Sequence, residues 1–321
     1  MDRQRLLQHK VRNGLQQLGL LGLLALLLGY LGWVVGGEPF LWGTLMGVAI
    51  LWMINPVASP RLLVRLYGAI PLSPWEMPGL YRLMESLAAR AGLEHLPRLY
   101  YLPSRMINAF ATGRREDAAI VLSDGLLRRL ERRELIGVLA HELAHVANGD
   151  IQVMTFADTL SRITGLLALV GQVLLILSIP ALLLGLATPP LLALLVLLAA
   201  PTLSALAQLA LSRNREFEAD RAAAEFSGDP VGLASALDKL ERQQGSFWEQ
   251  MMLPGRHLPD PSLLRTHPPT QERIDRLLEL IPDELPGPAL GWPLDDPREL
   301  LALLARGVNR SPRWHITGLW H

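Results

Sequence analysis

The sequence predicts a mainly helical protein with a small β-sheet (an α+β fold), threaded through a membrane four times by two helical hairpins. Two long tracts are almost free of charge, and each is followed by a polar segment. Within the polar segments, helical periodicity is interrupted by a few short β-like runs. Half of the 321 residues are hydrophobic and only 19% are charged, a balance that excludes a disordered chain. Mean hydropathy is +0.26, so the apolar excess must be housed somewhere. Thirty basic residues offset thirty acidic ones, leaving no net field to draw nucleic acid. The absence of cysteine excludes a disulfide framework, a thiolate metal site, an iron–sulfur cluster and a cysteine nucleophile.

Between Asn13 and Pro60 the only charged residue is Glu38. Two crossings fit there, residues 15–35 and 40–57, each near the roughly 20 residues that span a hydrocarbon core. The first is too long for a signal peptide and lacks a small-residue cleavage pattern. Residues 163–212 carry no charge, and the tract is broken near Thr188-Pro189-Pro190. Two further crossings fit, 163–187 and 191–211, with Pro180 and Pro201 inside them. The organisation is therefore a membrane hairpin (1–60), a polar part (61–162), a second hairpin (163–211), a second polar part (212–281) and an arm rich in Pro, Gly and Trp (282–321). One short helix is expected in the arm, around 297–306. Arg3, Arg5, Lys10 and Arg12 precede the first crossing, and the remaining basic residues fall in the polar parts. Since positive residues stay on the cytoplasmic side, both termini and both polar parts are expected there.

Residues 133–150 read RELIGVLAHELAHVANGD, with Leu135, Val138 and Leu139 at helical spacing. His141 and His145 stand at i and i+4, so their imidazoles share one helical face and can grip one metal ion. Glu142 lies beside the first ligand, next to the position a reacting water would take. A catalytic zinc site needs a third protein ligand, which without cysteine must be His, Asp or Glu. Just after the last apolar tract comes SRNREFEAD, residues 212–220. Glu216 and Asp220 share a helical face there. Glu216 is the expected third ligand, and Asp220 is expected to accept a hydrogen bond from a ligand histidine's other ring nitrogen. Standing alone, such a run could equally be a solvated acidic face paired with Arg215 and Arg221.

These motifs resemble the HtpX-type membrane metallopeptidases, relatives of the CAAX prenyl endopeptidases. The matching segments are HELAHVANGD (141–150), SRNREFEAD (212–220), NAFATG (108–113) and THPPTQERI (266–274), in that family's order of parts, and the resemblance covers roughly residues 15–280. It implies a zinc endopeptidase of the bacterial cytoplasmic (inner) membrane with one Zn²⁺ per chain held by His141, His145 and Glu216. Its active site would face the cytoplasm, and its substrates would be polypeptides, chiefly misfolded or damaged membrane proteins. Glu142 would serve as general base and then general acid. Residues 100–102, 108–111 and 119–122 read as short strands. By the resemblance, Asn108, Ala109, Phe110 and Ala111 form the edge that pairs with substrate backbone, and Asn108 donates near the scissile bond. The resemblance also implies His267 as an oxyanion donor and Arg273 as partner to an acidic ligand or its neighbour. Alternatives are a CAAX-type endopeptidase, a zinc-binding scaffold without catalysis, and a di-metal carboxylate bundle. Four helices are too few for the first, Glu142 has no purpose in the second, and no second E-x-x-H motif supports the third.

Overall fold

The computed structural model describes residues 3–54, 60, 67–185, 191–251 and 269–280. In chain order its elements are α1 (Arg3–Ile54), β1 (Ile70–Pro71), α2 (Pro78–Arg90), β2 (Arg98–Leu102), β3 (Ala109–Thr112), β4 (Ala119–Ser123), α3 (Asp124–Arg129), α4 (Arg132–Asn148), α5 (Asp150–Leu177), α6 (Ile179–Leu183), α7 (Leu191–Ser227), α8 (Pro230–Met251) and α9 (Thr270–Leu278). The chain divides into two compact units, residues 1–56 with 152–214 and residues 57–151 with 215–321. The arm from 282 onward, including its expected helix at 297–306, lies outside the described residues, as do His267 and the expected turn near Thr188.

Among the described residues, three helical stretches are long and apolar enough to cross a membrane: Gly14–Met53, Asp150–Leu177 and Leu192–Ser227. The sequence predicts four crossings, and the counts differ in the first hairpin. Its two apolar runs lie in the single element α1, interrupted at Gly36 (φ −144°, ψ 17°) and Gly37 (φ 70°, ψ −158°). Only glycine reaches the Gly37 conformation without strain. Pro39 follows after Glu38, where its fixed φ suits the start of a helix. A Cβ added to Gly32 would stand 2.8 Å from the Thr44 side chain, and one on Gly29 would stand 3.0 Å from Leu45. The two arms of α1 therefore lie against each other through small residues, which lets their backbones approach closely. Leu21, Leu24 and Leu28 pack with Phe156, Ala157, Leu160, Ala207 and Leu211 inside this unit. Leucines such as Leu26, Leu166 and Leu206 stay exposed, as suits a lipid solvent. Ser204 donates to Ser161 at 2.9 Å and Gln208 to Asp158 at 3.3 Å, joining α5 and α7 by polar contacts.

The second unit is built around α4. Its sheet has the order β1–β2–β4–β3, with β2 and β4 parallel and the outer pairs antiparallel. Alternation along the strands sends Leu99, Tyr101, Ile120 and Leu122 into the helical core beside Leu139 and Leu143. Tyr100, Leu102, Ala119 and Val121 pack on the other face with Tyr67 and Phe110. The observed strands shift by one or two residues from the expected 100–102, 108–111 and 119–122, and β1 was not expected at all. Its two residues are too few to carry an alternation signal.

The start of α4 is fixed by a capping box between Glu131 and Glu134. Glu134 accepts from the Glu131 backbone N–H at 2.7 Å, from the Lys239 ammonium at 2.8 Å and from the Ser235 hydroxyl. Midway, Gly137 lies against α8: a Cβ there would stand 2.8 Å from the Leu233 backbone nitrogen and Cα. The helix ends at Asn148, not at 150 as its periodicity suggests. Gly149 adopts the left-handed conformation (φ 71°, ψ 20°), its N–H returns to the carbonyls of His145 and Val146, and Asp150 opens α5.

Candidate metal centre and active site

One turn of α4 sets the His141 and His145 rings edge to face, with centroids 4.6 Å apart. Their Nε2 atoms face each other at 3.1 Å. From α7, Glu216 brings Oε2 to 3.5 Å from His141 Nε2 and Oε1 to 3.6 Å from His145 Nε2. His141 and Glu216 are buried, and His145 is half-buried. Behind the rings, the Nδ1 of His141 lies 3.0 Å from Asp220 Oδ1, and the Nδ1 of His145 lies 2.9 Å from Asp150 Oδ2. Arg273, from α9, forks onto Asp220 through Nε at 2.7 Å and Nη2 at 2.6 Å, and reaches Glu216 through Nη1 at 3.0 Å.

This donor set fits a metal ion. Asp150 holds the proton on the His145 Nδ1 and turns that ring's Nε2 lone pair forward, and Asp220 sets a carboxylate within 3.0 Å of the His141 Nδ1. Two lone pairs and a carboxylate then converge, an arrangement a cation relieves. The separations of 3.1, 3.5 and 3.6 Å match the roughly 3.3 Å edge of a tetrahedron about an ion bound at about 2.0–2.1 Å. His141, His145 and Glu216 thus form a group able to hold one metal ion. Burial pulls the His141 pKa down, but the Asp220 and Glu216 carboxylates outweigh it and raise the value to about 10. Burial likewise opposes His145, and the hydrogen bond to Asp150 leads the effects that raise it. A metal ion binding here therefore displaces protons. Burial pushes the Asp220 carboxyl up, yet Arg273 and His141 together hold it below the usual carboxylate range.

Residues 74–281 match peptidase family M48. The chain belongs to that family. A "Protease HtpX homolog" of Acaryochloris marina is 39% identical over 287 residues, covering 84% of this chain and 94% of the relative. Another, from Paenarthrobacter aurescens, is 37% identical over 287 residues, covering 84% and 96%. A third, from Paraburkholderia phytofirmans, is 40% identical over 237 residues, covering 69% and 81%. The crystal structure of S. mikatae Ste24p aligns with a TM-score of 0.49 at 20% identity, over 84% of this chain and 67% of that one. This chain is an HtpX-type M48 metallopeptidase: it hydrolyses peptide bonds, and its apolar helices make it a membrane protein.

In this M48 peptidase, Glu142 is half-buried on α4 beside His141. Asn108 is exposed just ahead of β3, its backbone tied to Ser123: its N–H donates to the Ser123 hydroxyl at 2.9 Å, and its carbonyl accepts from the Ser123 N–H at 3.0 Å. Ala109, Phe110 and Ala111 lie in β3, at the edge of the sheet and alongside α4. Glu218 turns to Arg215 at 3.3 Å. Sequence reasoning passed over Asp150 and saw in Arg215 only a partner for the acidic run; the two are joined at 2.9 Å. The signal for Asp150 was Asn148-Gly149 at the end of the histidine helix: a left-handed glycine cap reverses the chain and returns the next side chain toward the last turn.

Proposed function

We propose that this M48 peptidase is a zinc endopeptidase of the bacterial inner membrane that cleaves damaged or misfolded membrane proteins on the cytoplasmic side. The observation that carries the reading is the convergence of His141, His145 and Glu216 next to Glu142. Two imidazoles and one carboxylate, without thiolate, form a common catalytic zinc set, and three ligands leave a fourth position for water. His141, His145 and Glu216 would hold the zinc, which would supply a water of near-neutral pKa and polarisation of the substrate carbonyl. Glu142 takes the proton of the attacking water and passes it to the leaving amine. Asp220 keeps His141 in its ligand tautomer, and Arg273 holds Asp220 and Glu216 against each other's charge. The edge of β3 suits an extended substrate backbone, paired as an added strand, with Asn108 at its start as a donor. His267 is assigned to the oxyanion by resemblance.

The break at Gly36-Gly37 supports counting α1 as two crossings, four in all. A straight helix through Gly14–Met53 would run about 60 Å, twice the roughly 30 Å core. With the basic residues confined to the termini and polar parts, the catalytic unit is assigned to the cytoplasm.

The test is cleavage of casein by the full chain in detergent, with wild type and Glu142→Gln compared, each with chelator and with zinc restored. Zinc-dependent fragments from wild type alone are expected. Equal cleavage by the Gln variant removes Glu142 as the base. Cleavage restored by another divalent ion and not by zinc removes the metal assignment. For the cellular role, a strain lacking the peptidase should accumulate a misfolded membrane reporter, and normal clearance would count against quality control.

A further inference from the structure

We infer that Asp150, braced by Arg215, is a positioning residue for the metal centre: it does for His145 what Asp220, braced by Arg273, does for His141. The inference rests on the zinc reading and extends the metal centre to two residues that stand inside the HELAHVANGD and SRNREFEAD segments without a part in it so far. Two carboxylate–arginine pairs stand behind the two ligand rings. Asp150 and Asp220 are almost wholly buried, 1% and 3% exposed. Each oxygen of Asp150 has its own partner, Oδ2 the His145 Nδ1 at 2.9 Å and Oδ1 the Arg215 guanidinium at 2.9 Å. A carboxylate held at both oxygens cannot rotate, so the imidazole it faces keeps one tautomer and one ring angle. The guanidinium also compensates a charge that would otherwise be costly to bury.

The pair has a second consequence that depends on chain order. Arg215 immediately precedes Glu216, so the bond from Asp150 joins the backbone that carries the third ligand to the ring that supplies the second. The left-handed Gly149 makes this possible, because it brings Asp150 back to His145 two residues after α4 ends. The competing explanation is that Asp150 merely favours the positive N-terminus of α5. That role predicts a loss of stability without any effect on the metal.

The experiment measures zinc affinity of the full chain in detergent by competition with a chromogenic chelator, alongside the visible spectrum of the cobalt-substituted protein. Asp150→Asn keeps the shape and one acceptor, and is expected to weaken zinc binding roughly tenfold; Asp150→Ala should weaken it roughly 100-fold. Arg215→Met should fall near the Asn variant. In each, the cobalt bands should shift as the His145 ring loosens, and kcat should fall with little change in KM. Asp124→Asn removes another buried, arginine-paired carboxylate, one whose oxygens accept from Tyr101 and Arg128, and should leave affinity and bands unchanged. Asp150→Asn and Arg215→Met binding zinc within twofold of wild type, with unshifted cobalt bands, would overturn the proposal even if Asp150→Ala does not fold. A wild-type chain that binds no zinc would overturn the metal reading and this inference together.

Discussion

The two ends of α4 carry buried polar clusters of opposite design. At its start, Glu134 is surrounded by donors: the Glu131 N–H, the Ser235 hydroxyl and the Lys239 ammonium. Burial pushes the Glu134 carboxyl up, but these donors outweigh it and hold its pKa below the ordinary value. At its end, the carboxylates stand behind the imidazoles, and the two Nε2 atoms are turned toward each other and toward Glu216. A cluster whose donors and acceptors match closes on itself and stabilises the fold. A cluster that aims electron pairs at one point is completed from outside. The same helix therefore anchors the unit at one end and presents a cation site at the other.

The comparison predicts that changes at the two ends separate cleanly. Glu216→Ala should abolish both metal binding and cleavage, read by metal content and the casein assay. Glu142→Gln should keep the metal and lower turnover by on the order of 10²–10⁴. A variant of either kind that left turnover untouched would break the division. At the other end, Glu134→Ala should lower unfolding stability by about 2–3 kcal/mol, through the lost cap and the partner groups left behind, while the folded fraction keeps its metal and turnover. The pH dependence sharpens this. A carboxyl whose folded pKa is depressed stabilises above its unfolded value of about 4.3 and stops doing so as pH falls through the folded pKa. The stability gap between wild type and Glu134→Gln in denaturant titrations should thus be full at pH 7 and narrow as the pH falls below the unfolded value toward the depressed folded one; a gap independent of pH would mean the carboxylate charge is irrelevant. The smallest effect is expected at the midpoint. Gly137→Ala gains about 1 kcal/mol of helix propensity but forces a Cβ against the Leu233 backbone, for a net loss of about 1 kcal/mol. Thermal unfolding would check it, and a stabilised variant would show that α8 can yield.

What the sequence made legible was local. His141, Glu142 and His145 declare themselves by i, i+4 spacing on a helix with an apolar face, and Glu216 and Asp220 by the same spacing. The apolar tracts were equally plain, although the described residues show three stretches able to cross where the sequence predicts four. The sheet was only half legible: β2, β3 and β4 carry short apolar runs, but the order that puts β4 between β2 and β3 depends on pairings between distant segments. Asp150 was hidden for a similar reason. Its role depends on a single glycine conformation and on an arginine 65 positions away along the chain. Arg273 was suggested by resemblance, but its simultaneous grip on Asp220 and Glu216 is a matter of three-dimensional approach.

The edge position of β3 carries a consequence beyond catalysis. A strand that leaves one row of backbone N–H and C=O groups open to a substrate leaves it open to any extended chain, including another copy of itself. Two features limit that exposure. The strand is only four residues long, Ala109–Thr112, which is short for self-association. It also runs straight into the exposed charged turn of Arg114, Arg115, Glu116 and Asp117, which an incoming edge would have to desolvate. On the proposed reading of β3 as the substrate edge, receptiveness to unfolded polypeptide and resistance to aggregation are set within the same nine residues, and lengthening β3 or neutralising that turn should trade one for the other.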